Sequence, residues 1–196
     1  MIDEQTWVSQ AQAGSEEAFT QIVENYQRPV YNLCYRMLGE PEAAEDAAQE
    51  VFLRVYRNLW RYNPERAFGT WLMSIAAHYC IDRLRRRKMT LFSMDEEDAI
   101  ELPDLGAPDP EREAVKSEER QRLHGLLQSL DPLDRAALTL RYWNDCSEAE
   151  IAETLSLTIS AVKSRLHRAR RALAKVWKEQ EHQNHAERIA YGSPAI

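Results

Sequence analysis

The sequence predicts an all-α protein, two small helical domains joined by a flexible acidic linker, the second domain a helix-turn-helix. Three observations carry this. Over residues 15–88 and 115–178 apolar side chains recur every three or four positions, the period of a helix with one buried face, and nowhere do they alternate over the length of a strand. Only 6 of 196 residues are glycine, too few for a turn-rich β fold or a glycine loop around a phosphate. Residues 89–114 contain Pro103, Pro108, Pro110, Gly106 and the run Asp95-Glu96-Glu97-Asp98, and they offer no apolar face.

Ser15 caps a first helix over 15–38, with Phe19, Ile22, Val23 and Tyr26 on one face. Val30, Leu33, Cys34, Met37 and Leu38 continue that face past a bend at Pro29, and Gly39 ends it. Pro41, whose missing N–H is no loss in a first turn, opens a second helix over 41–60. Its Ala44, Ala48, Val51, Phe52, Val55 and Leu59 form a buried stripe. After the loop Tyr62–Arg66, a third helix over 68–87 turns Phe68, Trp71, Leu72, Ile75, Tyr79 and Leu84 inward. Beyond the linker come a helix bearing Leu123, Leu126, Leu127 and Leu130, a restart at Asp131-Pro132 with Leu133, Ala137 and Leu140, and two further helices. Residues 179–196 read as a polar, fraying tail.

No apolar run approaches the roughly 20 residues that cross a bilayer, and the acidic start MIDEQTWVSQ is unlike a secretion signal. A cytoplasmic protein without membrane insertion is expected. Cys34, Cys80 and Cys146, odd in number and far apart, predict small buried residues, not a disulfide framework or a CxxC zinc site. A net charge of −7 argues against a nucleic-acid partner until the charges are located. Residues 1–88 carry 11 basic and 12 acidic groups, 89–120 carry 3 and 11, and 121–196 carry 11 and 9. The acidity lies in the middle segment, and basic residues gather at 83–88 and 163–178.

The C-terminal cluster has a definite shape. Ser147 and Glu150 form a capping box that starts a helix burying Ile151, Ala152 and Leu155. After the turn Ser156-Leu157-Thr158, Thr158 caps a second helix in which Val162, Leu166, Ala169, Leu173 and Val176 face inward. The opposite face carries Ser164, Arg168, Arg171 and Lys175, flanked by Lys163 and Arg165, and no acid lies between Thr158 and Lys178. A helix-turn-helix places the N-terminal residues of its second helix at base edges and its basic residues along phosphates. Thr158, Ser160, Lys163 and Ser164 are therefore expected at bases, and Arg165, Arg168 and Arg171 mainly at phosphates.

The run LDPLDRAALTLRYWNDCSEAEIAETLSLTISAVKSRLHRARRAL resembles domain four of bacterial sigma factors of the extracytoplasmic-function group. EDAAQEVFLRVYRNLWRY followed by FGTWLMSIAAHYCIDRLRRRK resembles their domain two. The resemblance implies a transcription initiation factor with no catalysis or cofactor of its own. Residues 1–88 would hold the RNA polymerase core and the melted minus-10 element, 89–114 the linker, and 115–178 the minus-35 reader. Its partners would be core polymerase, promoter DNA and an anti-sigma factor.

On the second helix, Asp46, Gln49, Glu50, Leu53 and Arg57 lie opposite the buried stripe. Such a mixed face suits docking, and also suits a solvated surface with one stray leucine; the resemblance places the main core-polymerase contact here. Arg83, Arg85, Arg86, Arg87 and Lys88 end the third helix beside the aromatic loop 62–68. Cations beside rings suit single-stranded DNA, and cations at a helix C-terminus also suit its dipole. Asn63, Arg66 and His78, with Arg83, Arg86 and Arg87, are the residues expected at the minus-10 strand, while Trp71 and Tyr79 are expected in the core. His78 stands where the family commonly has Asn, Asp145 and Ser156 stand for turn glycines, and Thr158 for a proline.

A stand-alone regulator of the LuxR type would share the helix-turn-helix, but its receiver domain needs alternating strands and helices, and the N-terminal half here is helical. A metal-dependent enzyme would have to use His78 and Cys80, which point about 200° apart on a helix and cannot share a metal. No metal and no catalytic residue is expected.

Overall fold

The structure, a computed structural model, describes residues 4–93 and 122–191. Among these every regular element is a helix: α1 (Glu4–Gln12), α2 (Glu16–Leu38), α3 (Pro41–Asn58) followed by a 3-10 turn (Leu59–Arg61), α4 (Phe68–Ser93), α5 (122–128), α6 (Pro132–Trp143), α7 (Glu148–Thr154) and α8 (Ile159–Tyr191).

The helix ends follow the capping residues. Ser15 Oγ accepts from the Ala18 N–H at 3.2 Å, and Gly39, at φ 99°, ends α2 in the left-handed conformation that only glycine adopts without cost. A Cβ there would also stand 2.9 Å from the Gln128 amide nitrogen, so that side chain would have to shift. Pro29 lies within α2 without ending it. Pro41 and Pro132 each occupy a first turn, the latter behind Asp131, whose side chain accepts from Leu133 N–H.

Three boundaries differ from the sequence reading. The second helix stops at Asn58 and tightens into the 3-10 turn, where the Gln12 amide donates to Leu59 O at 2.9 Å and to Tyr62 O at 3.1 Å. The helix α4 runs on to Ser93, so residues 89–93 of the expected linker are helical, and the remainder, 94–114, lies outside the described residues. The helix α8 continues to Tyr191 where a fraying tail was expected. No glycine or proline interrupts the chain between Thr158 and Gly192, so nothing local stops that helix. The helix α1 was not anticipated; its mixed sequence buries only Val8 and Ala11.

In the N-terminal half Ile22, Leu33, Met37, Val51, Val55, Leu72 and Ile81 fill the space between α2, α3 and α4. All three cysteines are free and buried. Cys80 meets Cys34, and their hydrogen bond together with burial pushes the Cys80 thiol far above its usual range. Leu127, Leu140, Ile151 and Val162 form the C-terminal core.

The two halves join through a buried arginine. Arg135, 4% exposed, donates to Met37 O at the end of α2, to Gln128 O at 2.7 Å and to Leu130 O at 3.2 Å. A cation at two carbonyl-bearing chain ends satisfies groups that a helix leaves unpaired, although burial still lowers its pKa to about 10. Around it the His124 ring stacks on Tyr35 at 4.8 Å and Arg36 lies 4.8 Å over Trp143.

Candidate nucleic-acid interfaces

The helix-turn-helix is built as its caps require. Ser147 Oγ accepts from Glu150 N–H at 3.2 Å, and the Glu150 carboxylate accepts from Ser147 N–H at 2.8 Å. These bonds hold Glu150 below the usual carboxylate range. Asp145 and Ser156 take positive φ, 51° and 55°, the conformation that the missing glycines would supply. Thr158 Oγ1 then accepts from Ala161 N–H at 3.1 Å and starts α8.

Val162, Leu166 and Ala169 are buried against α6 and α7, which leaves Thr158, Ser160, Lys163, Ser164, Arg168 and Arg171 exposed on the outer face. Arg165 differs from them: its guanidinium lies 2.6 Å from Asp134, which also receives Arg168 at 3.4 Å. Asp134 is nearly buried in the first turn of α6, so it braces the recognition helix against α6. Its role was missed because an acid in a first turn reads as a helix-start signal. Lys163 Nζ stands 3.6 Å from Glu148.

In the N-terminal half the loop 62–67 is fixed from both sides. Tyr62 packs on Phe68 and Trp71 at 5.2 Å each, and Asn63 Oδ1 accepts from Glu65 N–H at 3.0 Å in a local turn. Trp71 and Tyr79 are partly buried against the core, as expected, and Arg54 lies 4.7 Å over the Tyr79 ring. Asn63, Arg66 and His78 are exposed, and Arg66 Nε reaches Glu153 Oε1 of α7 at 3.1 Å. The arginine cluster separates by face. Arg83 turns toward α3, 4.0 Å from Asp46, and Arg87 donates to Glu40 at 3.1 Å, whereas Arg86 continues the stripe of His78 and Asp82 at four-residue spacing. His78 is exposed while Cys80 is fully buried, and no group of three or more metal-ligating side chains is assembled among the described residues.

The outward face of α3 shows Asp46, Gln49, Leu53 and Arg57 exposed and Glu50 half-buried, paired with Arg54 at 2.8 Å. Leu53 and Tyr56 are 50% and 53% exposed. Together with Phe19, Val23 and Phe52 they line an apolar groove of about 590 Å³ between α2 and α3. The α2 wall and Tyr56 escaped the sequence reading because Phe19 and Val23 share the period of the core.

Residues 22–90 match the family model of Sigma-70 region 2, and residues 120–173 that of Sigma-70, region 4. The chain is 34% identical over 182 residues to the ECF RNA polymerase sigma factor SigW of Bacillus subtilis, an alignment covering 86% of this chain and 93% of that one. The chain belongs to the ECF RNA polymerase sigma factors. The fold is also that of CnrH in complex with the cytosolic domain of CnrY, with a TM-score of 0.66 at 24% identity over 90% of this chain and 99% of that one. It is likewise similar to the sigma factor RpoE bound to the anti-sigma factor NepR from Bartonella quintana, at TM-score 0.62, 21% identity and 82% and 96% coverage. As an ECF sigma factor the protein is a transcription initiation factor that directs RNA polymerase to promoters. The stand-alone regulator is set aside, because region 2 occupies the half where a receiver domain would lie.

Proposed function

We propose that the labour divides between the two regions. The outer face of α8 reads the minus-35 element, Thr158, Ser160, Lys163 and Ser164 at base edges and Arg168 and Arg171 at phosphates, while Arg165, paired with Asp134, holds α8 in position. Loop 62–67, His78 and Arg86 hold the separated minus-10 strand, while Arg83 and Arg87, paired with Asp46 and Glu40, tie α4 to the start of α3. The α3 stripe of Asp46, Gln49, Glu50, Leu53 and Arg57, widened by Tyr56 and the α2 groove, docks on core polymerase. The same reading has the protein act in the cytoplasm, without catalysis of its own, under an anti-sigma factor of the kind bound in the RpoE neighbour.

The observation that carries the docking assignment is Leu53, half exposed on a polar face beside an apolar groove. Leu53→Asp should leave the melting temperature within a degree or two, since the side chain is outside the core, and should abolish co-migration with core polymerase on size exclusion. Undiminished co-migration of the folded variant overturns the assignment.

A further inference from the structure

Between α3 and α4 lies an open cleft of about 380 Å³ whose polar groups are arranged in a particular order. His78 Nδ1 sits 2.8 Å from Ser74 O. A carbonyl only accepts, so Nδ1 carries the hydrogen, and in the neutral imidazole Nε2 is left as a bare acceptor. Asp82 lines the same cleft one turn further along α4, on the same face. It is exposed, and no hydrogen bond or ion pair engages its carboxylate among the described residues. Two acceptors therefore stand side by side. The rings of Trp71 and Tyr79 form part of the wall, and the guanidiniums of Arg54 and Arg61 stand at the same cleft.

An unpaired base offers its Watson–Crick edge to such a site. Guanine presents two neighbouring donors, N1–H and the 2-amino group, beside the acceptor O6. Adenine and cytosine each present one donor next to a lone pair, and thymine one donor between two carbonyls. A pair of acceptors meets every group of the guanine edge only if a cation serves O6, and Arg61 at the cleft is placed to supply it, Arg54 being paired with Glu50 at 2.8 Å. With the other three bases a lone pair is set against the carboxylate or the imidazole, an unpaired contact that costs far more than a missing methyl group.

We propose that this cleft selects an unpaired guanine in the separated minus-10 strand, with His78 Nε2 and the Asp82 carboxylate accepting from its N1–H and 2-amino hydrogens. The inference rests on the reading of α4 and loop 62–67 as the minus-10 surface. It follows from the chemistry of His78, whose free Nε2 offers an acceptor alone where an amide would offer both a donor and an acceptor.

The test uses holoenzyme reconstituted from this chain and core polymerase. It selects bound fork-junction DNA whose single-stranded minus-10 segment is randomised, followed by sequencing. Guanine should be enriched at one position by about tenfold over adenine, the discrimination of one bidentate base contact. Asp82→Asn, an exposed substitution that can present a donor where the carboxylate only accepts, should shift that position from guanine toward adenine. Selection of the single-stranded segment without a guanine preference, or with one that Asp82→Asn leaves in place, overturns the guanine assignment while leaving the minus-10 surface standing. Binding that is indifferent to the single-stranded segment overturns the minus-10 surface itself, and the assignment with it.

Discussion

At the scale of single residues, two basic side chains on the same helix are expected to do different work. Lys163 lies in the second turn of α8, near the end proposed to enter the groove, and Arg171 lies more than two turns further along; both are exposed. A lost base contact costs about 1–3 kcal/mol at one position, whereas a lost phosphate contact weakens every sequence and reduces the salt slope by about one. With the holoenzyme on a panel of single-substitution minus-35 sites, Lys163→Ala should relax preference at one or two positions, and Arg171→Ala should weaken all sites evenly with a shallower salt dependence. The reverse pattern would mean that α8 is rotated or shifted in its groove. Most of that face was legible from residue type and period. What was not legible is which cations are held by the protein itself, because Asp134 and Glu40 come from segments far off in sequence.

At the scale of elements, caps and turns were the readable part. Ser15, Gly39, Pro41, the Ser147–Glu150 box and Thr158 each act where local chemistry places them, since a helix end is decided within four residues. The elements that escaped lack such signals: α1 has little apolar face, and the extension of α8 has no breaker. Ser156 gives this scale its prediction. At φ 55° it bears the cost of a side chain in the left-handed region, about 1–2 kcal/mol, part of which glycine returns as chain entropy. Ser156→Gly should therefore raise stability by about 0.5–1 kcal/mol, read as a higher urea midpoint at unchanged slope. An equal gain from Asp145→Gly is not expected, because aspartate tolerates that conformation. A loss of stability in Ser156→Gly would show that the serine side chain holds the turn.

At the scale of the whole molecule, the sequence showed two halves and said nothing of how they meet. Arg135 looks like an ordinary first-turn residue, and only the three-dimensional approach of α2, α5 and α6 makes it the buried tie between the halves. The Arg66–Glu153 pair sets loop 62–67 of the first half against α7 of the second, 3.1 Å apart. Elements centred near positions 10 and 35 lie roughly 85 Å apart along B-DNA, so under the proposed division of labour the two surfaces would have to part to reach both. Function is therefore best measured on the assembled holoenzyme, in multiple-round run-off transcription from fragmented genomic DNA of the source organism with purified core polymerase. Initiation should collapse onto a small set of start sites sharing a minus-35 and a minus-10 element, and Leu53→Asp should abolish it. Start sites no different from those of core polymerase alone, or a shared set that persists with Leu53→Asp, would contradict the claim that this chain docks on polymerase through α3 and chooses its promoters.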